Sequence, residues 1–178
     1  MQVCKLDSFA IVVVFPLIKF FLFLLVCSQV CSCVSISFPD KETEKSKAAS
    51  FKAPGSTYLQ LTTDAADVAW QNSENGSTIS FISSCNENSD PSLRVIQKMS
   101  TDGIDNMKVL KEEYISYNQR AALRSTIIGK VDGVPIELEL IVFKKNNCLY
   151  NLTYISTIKK FMEDLSVFRK FQRGFVVK

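Results

Sequence analysis

Two apolar patterns divide the chain. From Phe9 to Val26 the residues are almost wholly apolar, broken by Pro16 and Lys19, whereas from Phe51 onward apolar and polar residues alternate or recur at helical spacing. In the second region Val68-Ala69-Trp70-Gln71 and Thr78-Ile79-Ser80-Phe81-Ile82-Ser83 alternate as half-buried strands do, and Asn75-Gly76 between them is a hairpin-turn signal. A first helix is predicted to open at Ser89-Asp90-Pro91, a capping residue with proline at the first turn. It carries Leu93, Ile96, Met99 and then Ile104 on one face. Four more strands are predicted at Val109 to Tyr117, Arg120 to Val131, Val134 to Phe143 and Cys148 to Ser156, joined by Asn118-Gln119, Asp132-Gly133 and Lys144 to Asn147. Asp-Gly suits a type I′ turn, so these strands form an antiparallel meander. Along the third of them Ile136, Leu138, Leu140 and Val142 line one face, with Glu137 and Glu139 on the other until Ile141. A closing helix after Thr157 sets Phe161, Leu165, Phe168 and Phe171 or Gln172 in a stripe that faces the sheet. Phe175 is expected to fasten the tail.

The element order is β-β-α-β-β-β-β-α, with room for another strand near Phe51. One mainly antiparallel sheet with helices packed on it is an α+β architecture, here preceded by a signal segment. The hairpin holding Trp70, the helix, the long meander and the closing helix with Phe161 and Phe168 together resemble the PsbP-like fold family, over about Phe51 to Val177. That family includes the extrinsic subunit of photosystem II and a nuclear-import regulator that binds the GTPase Ran. The whole chain is also similar to small lipoproteins of predatory and delta-type bacteria. The resemblance implies a protein-binding domain rather than an enzyme. It carries no functional residue across, because no site motif is matched, and fold alone does not assign function.

The first 32 residues read as an export signal: Lys5 in a short polar start, the apolar stretch, then Ser28 to Ser32 turning small and polar. A membrane span needs about 20 apolar residues, and Lys19 near the middle of one would cost roughly 2.5 to 3.5 kcal/mol on the insertion scale. The alternative of a later translation start, with Lys19 as the n-region charge, stays open. Val30-Cys31-Ser32-Cys33 resembles the bacterial lipobox, in which a small residue precedes the cleaved bond and the next thiol carries diacylglycerol. Val26 and Val30 make poorer neighbours for Cys27 and Cys31, so Cys33 is the expected lipidation site. Two acyl chains and an amide-linked third, at about 0.8 kcal/mol per buried CH₂, anchor a protein stably. Residue 34 is Val rather than Asp, which resembles the outer-membrane default of enteric sorting. The charged, aperiodic stretch to Ser50 is expected to be a flexible tether, giving a signal at 1–32, a lipidated Cys and tether at 33–50, and a domain at 51–178.

Composition narrows the chemistry. The chain has 178 residues, a net charge of +3, 13 Phe and 5 Tyr, which suits one folded domain rather than a disordered segment. The charge is too balanced for a nucleic-acid partner. Histidine is absent throughout, so no Ser-His-Asp or Cys-His arrangement exists and the common neutral-pH base is missing. Cys85 and Cys148 are the two cysteines of the domain. In an oxidising compartment they are expected to form a structural disulfide closing a loop of about 62 residues. A redox pair or metal ligands would want Cys-x-x-Cys spacing or a histidine, and no metal site is expected.

Other groupings have plain readings beside sharper ones. Glu112-Glu113 and the pair Glu137 and Glu139, about 7 Å apart along a strand, invite a glycosidase reading, but a solvated sheet face explains them more simply. Asp102 to Asn106 lacks the ligand spacing and closing Glu of a calcium loop. Arg120 and Arg124 read as exposed residues or a polar patch. Tyr114, Tyr117, Tyr150 and Tyr154 read as a cross-strand ladder or a binding face. Asn75-Gly76-Ser77 and Asn151-Leu152-Thr153 match glycosylation acceptors, which mean little in a bacterial lipoprotein. No catalytic residue and no cofactor beyond covalent lipid on Cys33 is expected. The reading is a non-catalytic binding or scaffolding lipoprotein of the cell envelope, expected at the outer membrane with the domain in the periplasm or at the cell surface, and with a protein or envelope partner. The second reading is a carrier of a small molecule or lipid held between helix and sheet, which an unfilled apolar pocket would favour and a solid core would disfavour.

Overall fold

The computed structural model describes residues 44–86 and 89–178; the signal segment and Cys33 lie outside them. The elements, in order, are β1 (Ala49–Ser50), β2 (Tyr58–Leu61), β3 (Val68–Asn72), β4 (Thr78–Cys85), α1 (Leu93–Ser100), β5 (Asp105–Tyr117), β6 (Arg120–Val131), β7 (Val134–Lys145), β8 (Cys148–Thr157), α2 (Phe161–Gly174) and β9 (Val176–Val177). Seven strands make one antiparallel sheet in the order β2-β3-β4-β8-β7-β6-β5, and β1 pairs with β9 in a separate ribbon. The α+β architecture is the expected one.

Local chemistry explains the meander. Its three turns are two residues each, and both central residues have positive φ: Asn118 and Gln119, Asp132 and Gly133, Asn146 and Asn147. That is the type I′ geometry whose twist matches paired strands, and short polar side chains tolerate it best. The last strand pair therefore closes at Asn146-Asn147 and not over Lys144 to Asn147. The Asn75-Gly76 turn belongs to a longer loop. There Asn75 keeps an ordinary φ, its side-chain oxygen accepts from Ser77 N–H (2.9 Å), and Gly76 alone turns left-handed at φ 76°.

The helices cover opposite faces of the sheet. α1 packs Ile96 against Leu123, Ile127, Leu138, Leu140 and Val142. Its cap is Ser92, whose hydroxyl accepts from Val95 N–H at 3.4 Å, rather than Ser89 or Asp90. Asp90 and the Pro91 carbonyl are taken by the Lys144 ammonium instead. Met99, expected on the buried face, is 62% exposed. Gln97 holds the inward position and donates its amide to the Ser125 hydroxyl. On the other face α2 buries Phe161, Leu165, Phe168, Phe171 and Gln172, so the aromatic stripe is as expected. The rings of Phe51, Trp70, Phe81 and Phe175 fill the layer between helix and sheet. Phe51 and Phe175 stack with planes 2° apart and centroids 5.8 Å apart.

The expected tether is shorter than Ser50. β3 pairs only with Thr78 to Phe81 of β4, which leaves the later backbone of β4 open on that side. Two partners fill it: the Asp67 carboxylate accepts from Ser83 N–H (3.0 Å), and the Glu44 carbonyl of the incoming chain accepts from Cys85 N–H (2.8 Å), while Ser46 N–H donates to the Ser83 hydroxyl (2.8 Å). Buried polar groups require such partners, so residues from Glu44 belong to the folded unit. β2 has no counterpart among the strands that the sequence pattern predicts. It is an edge strand that exposes Leu59 and Leu61 while burying Tyr58.

Cys85 and Cys148 stand opposite each other on β4 and β8 and are joined by a disulfide across a Cα separation of 4.0 Å. The bond encloses α1 and β5 to β7 in a loop with a sequence separation of 63, so it restricts the unfolded chain strongly. Reduction should lower unfolding free energy by about 2–4 kcal/mol, measured as a urea midpoint with and without dithiothreitol. A Cys85→Ala/Cys148→Ala double variant should match the reduced protein and ignore the reductant. A midpoint unmoved by reduction would contradict the role assigned to the bridge.

Candidate functional site

The clearest departure from the hydrophobic pattern lies on the α2 face of β5, β6 and β7. Antiparallel register places Glu113, Arg124 and Ile141 in one row across the three strands, and Lys111, Thr126 and Glu139 in the next. Positions two apart on a strand share a face, so these charges are gathered by register alone. α2 adds Arg169, Gln172 and Arg173 from above, and together the residues line a cleft of 410 Å³.

Glu139 is the centre of this arrangement. Its place beside Glu137 in the strand pattern predicts a solvated face, yet only 2% of it is exposed. The reason is that the face it shares with Ile141 and Phe143 is the one α2 covers. Its Oε2 accepts from Arg169 Nη2 at 3.1 Å, and its Oε1 lies 3.9 Å from Arg124 Nε. Both of those last two atoms are buried without a hydrogen-bond partner among the described residues. Arg124 also donates from Nη1 to Glu113 (3.2 Å), which receives Lys111 Nζ at 3.1 Å. The Lys111 hydrogen bond, with Arg124 behind it, holds the Glu113 carboxyl below the usual range against a smaller opposing effect of burial. Two carboxylates thus orient three cations, and Arg173 makes no ion pair among the described residues. Glu137, the other half of the expected pair, stands in the neighbouring row with its pKa raised by burial.

The structure separates the remaining candidates. Arg124 sits in the cleft, whereas Arg120 lines a second concavity of 730 Å³ at the turn end of the sheet, with Lys144, Lys145 and Asp90. The four tyrosines do not form one ladder. Tyr150 stacks on Phe143 and Tyr154 on Phe168 inside the core, Tyr117 meets Phe143 edge-on, and Tyr114 is 62% exposed on the α1 face. Glu112 pairs with Arg94 at 2.6 Å on that same face, apart from Glu113. Asp102 to Ile104 lie in the turn from α1 into β5, and Asp105 and Asn106 open that strand. Among the described residues no three His, Cys, Asp or Glu side chains group as metal ligands, and no helix is long and apolar enough to cross a membrane. The residue pattern does not mark Lys111, Thr126, Arg169 or Arg173 as site residues, and it offers Gln172 only as part of the α2 stripe. The available signal was Glu139 itself, a carboxylate in phase with Ile141 and Phe143.

A further polar cluster ties α2 to the β2–β3 edge. In the first turn of the helix, Asp164 Oδ2 accepts from Tyr58 (3.1 Å), Asn72 (2.7 Å) and Asn75 (2.8 Å). The Asn75 amide of one glycosylation-like triplet is therefore engaged within the fold. Burial first, and then the Asp164 carboxylate, drives the Tyr58 pKa far up; burial also raises Tyr117 and Tyr154.

No protein-family model matches the chain, and no curated protein matches it. Solved structures do. CyanoP, the cyanobacterial PsbP of Synechocystis, aligns with a TM-score of 0.58 at 11% identity, covering 84% of this chain and 99% of its own. LpqN of Mycobacterium tuberculosis, involved in cell envelope biogenesis, gives 0.56 at 8% identity, covering 79% and 87%. PA94 of Pseudomonas aeruginosa, a protein of unknown function described as a putative regulator, gives 0.50 at 14% identity, covering 79% and 89%. At such identities the likeness is one of fold: the domain has the PsbP-like fold.

Two outcomes follow from these environments. Glu139→Ala should cost about 2 kcal/mol, because it removes the charge-assisted hydrogen bond to Arg169, while Lys111→Ser and Arg173→Ser should leave chemical denaturation curves unchanged. Equal stability of all three variants would refute the bracing role of Glu139. Tyr58, Tyr117 and Tyr154 have folded pKa values above the unfolded one. Their contribution is complete below the unfolded value of about 10 and is lost as pH rises past it. Alkaline titration followed by tyrosinate absorbance should show three groups ionising late, and Tyr117→Phe should remove one of them.

Proposed function

We propose that the chain is a lipid-anchored protein of the cell envelope whose α+β domain is a non-catalytic binding module. The observation that carries the binding reading is the contrast between interior and surface. Among the described residues, the space between α2 and the sheet is filled by Phe51, Trp70, Phe81, Phe171 and Phe175 in mutual contact, where a carried lipid would need room. The concave surfaces are open and charged instead. That favours surface recognition of a protein or envelope component over carriage.

The absence of histidine supports a non-catalytic role, since the usual general base at neutral pH is missing. The envelope setting rests on the export pattern ending at Cys33. It draws further support from the fold shared with LpqN, a protein described as involved in cell envelope biogenesis. On this reading diacylglycerol on Cys33 holds the chain to the outer membrane, with the domain in the periplasm or at the cell surface and no nucleic acid among its partners.

Metabolic palmitate labelling with fractionation tests the anchor. Label and membrane location should both be present in the wild type and both be lost in Cys33→Ser; absence of label from the wild type would overturn the anchor. Native mass spectrometry of the same purified variant should give the mass of the polypeptide alone. A co-purified apolar ligand would favour carriage.

A further inference from the structure

We propose that the cleft between α2 and the β5–β7 face is an oxyanion site that takes a phosphate monoester. The inference deepens the reading of the domain as a binding module by giving the ligand class of one surface. Four cations, Lys111, Arg124, Arg169 and Arg173, line the cleft against two carboxylates, Glu113 and Glu139. The surplus is two positive charges, and a phosphate monoester carries about −1.5 to −2 at neutral pH. Its several oxygens suit donors arriving from more than one direction, which the arginine fork provides.

The carboxylates do not compete for that role. Glu139 lies under the cleft at 2% exposure, bonded through Oε2 to Arg169, and Glu113 binds Lys111 and Arg124 from the side. Both act as braces that fix where the cations point. A buried carboxylate is an expensive brace. A well-packed apolar residue in its place is often neutral or stabilising, and position 139 continues a face formed by Ile141 and Phe143. A carboxylate there makes physical sense if the arginines it holds have work beyond packing.

The arginines also have capacity to spare. Arg124 engages Glu113 with Nη1 and faces Glu139 with Nε, and Arg173 carries no ion pair among the described residues, so its fork is open to a ligand. The volume of 410 Å³ lies in the range of small-ligand sites. It would admit a phosphorylated sugar or polyol, or the head of a lipid whose phosphate is a monoester.

The test uses the whole chain carrying Cys33→Ser, so that an acyl anchor cannot itself bind vesicles. Isothermal titration with glycerol phosphate, against chloride at matched ionic strength, should show binding. Lys111→Ser and Arg173→Ser should each weaken it about tenfold, and Lys144→Ser, in the other concavity, should not. Co-sedimentation with phosphatidic acid vesicles, against phosphatidylcholine vesicles, separates the sources. Vesicle binding lost in the Lys111 and Arg173 variants would identify a lipid headgroup. Titration alone would identify a soluble ester. Binding in neither assay, or binding that both cleft variants keep, would overturn the site. Failure here leaves the anchored binding module standing, because that reading is judged by the label on Cys33 and by native mass.

Discussion

The structure depends on the seam of rings that seats α2 on the sheet. Phe175 is at its centre, touching Phe51, Phe81, Phe143 and Phe171, and it joins the two ends of the described chain to the middle of the fold. Such side chains bury a large area each, and their offset and edge-on contacts add directional preference to simple burial. The chain termini are then tied in by polar bonds. The Asn118 amide donates to the Phe175 carbonyl, its oxygen accepts from Val177 N–H, and Lys178 N–H donates to the Ala48 carbonyl. An element that would otherwise fray becomes part of the core.

The cleft follows from where that seam stops. The rings lie over β3, β4, β8 and the end of β7. Beyond them, toward β5, α2 presents Arg169 and Arg173, and the sheet presents Lys111, Glu113, Arg124 and Glu139. The edge strand β5 is long, and its row of charges together with its register shifts is a common way to keep such an edge from pairing with another chain. The same charges, once covered on one side by a helix, acquire a shape and a local field. Solubility and recognition are served by one set of residues, with Glu139 as the member whose burial needs the others.

The opposite face is organised differently. α1 covers β6 and β7 through Ile96 and its neighbours and is itself locked by Gln97 to Ser125 and by Lys144 to Asp90 and Pro91. Gly129 on β6 allows close approach there: an added Cβ would come within 2.3 Å of the Ile104 side chain and 2.9 Å of the Asp105 carbonyl, where β5 shifts register. A glycine in a strand often marks such a crossing of backbones.

Much of this was determined by the sequence alone, because it is local. Alternation in β3 to β8, the positive-φ turns at Asn118-Gln119, Asp132-Gly133 and Asn146-Asn147, and the stripe Phe161, Leu165, Phe168, Phe171 on α2 depend on spacing and turn chemistry within a few residues. The pairing of Cys85 with Cys148 was legible because no other cysteine of the domain could compete. What only the tertiary structure decided is which polar residues face inward. Glu139 and Glu137 share a strand face in the sequence, but α2 crosses over one row and leaves the other half-open, so one carboxylate becomes a buried brace. Gln97 took the inward position that Met99 was expected to hold because Ser125 waited opposite. Residues 44–50 read as tether by composition, yet the Cys85 N–H at the open end of β4 takes the Glu44 carbonyl, and Ser46 bonds the Ser83 and Tyr150 hydroxyls. Charge and periodicity say what a segment prefers; the unsatisfied backbone and the covering helix of a distant element say where it must go.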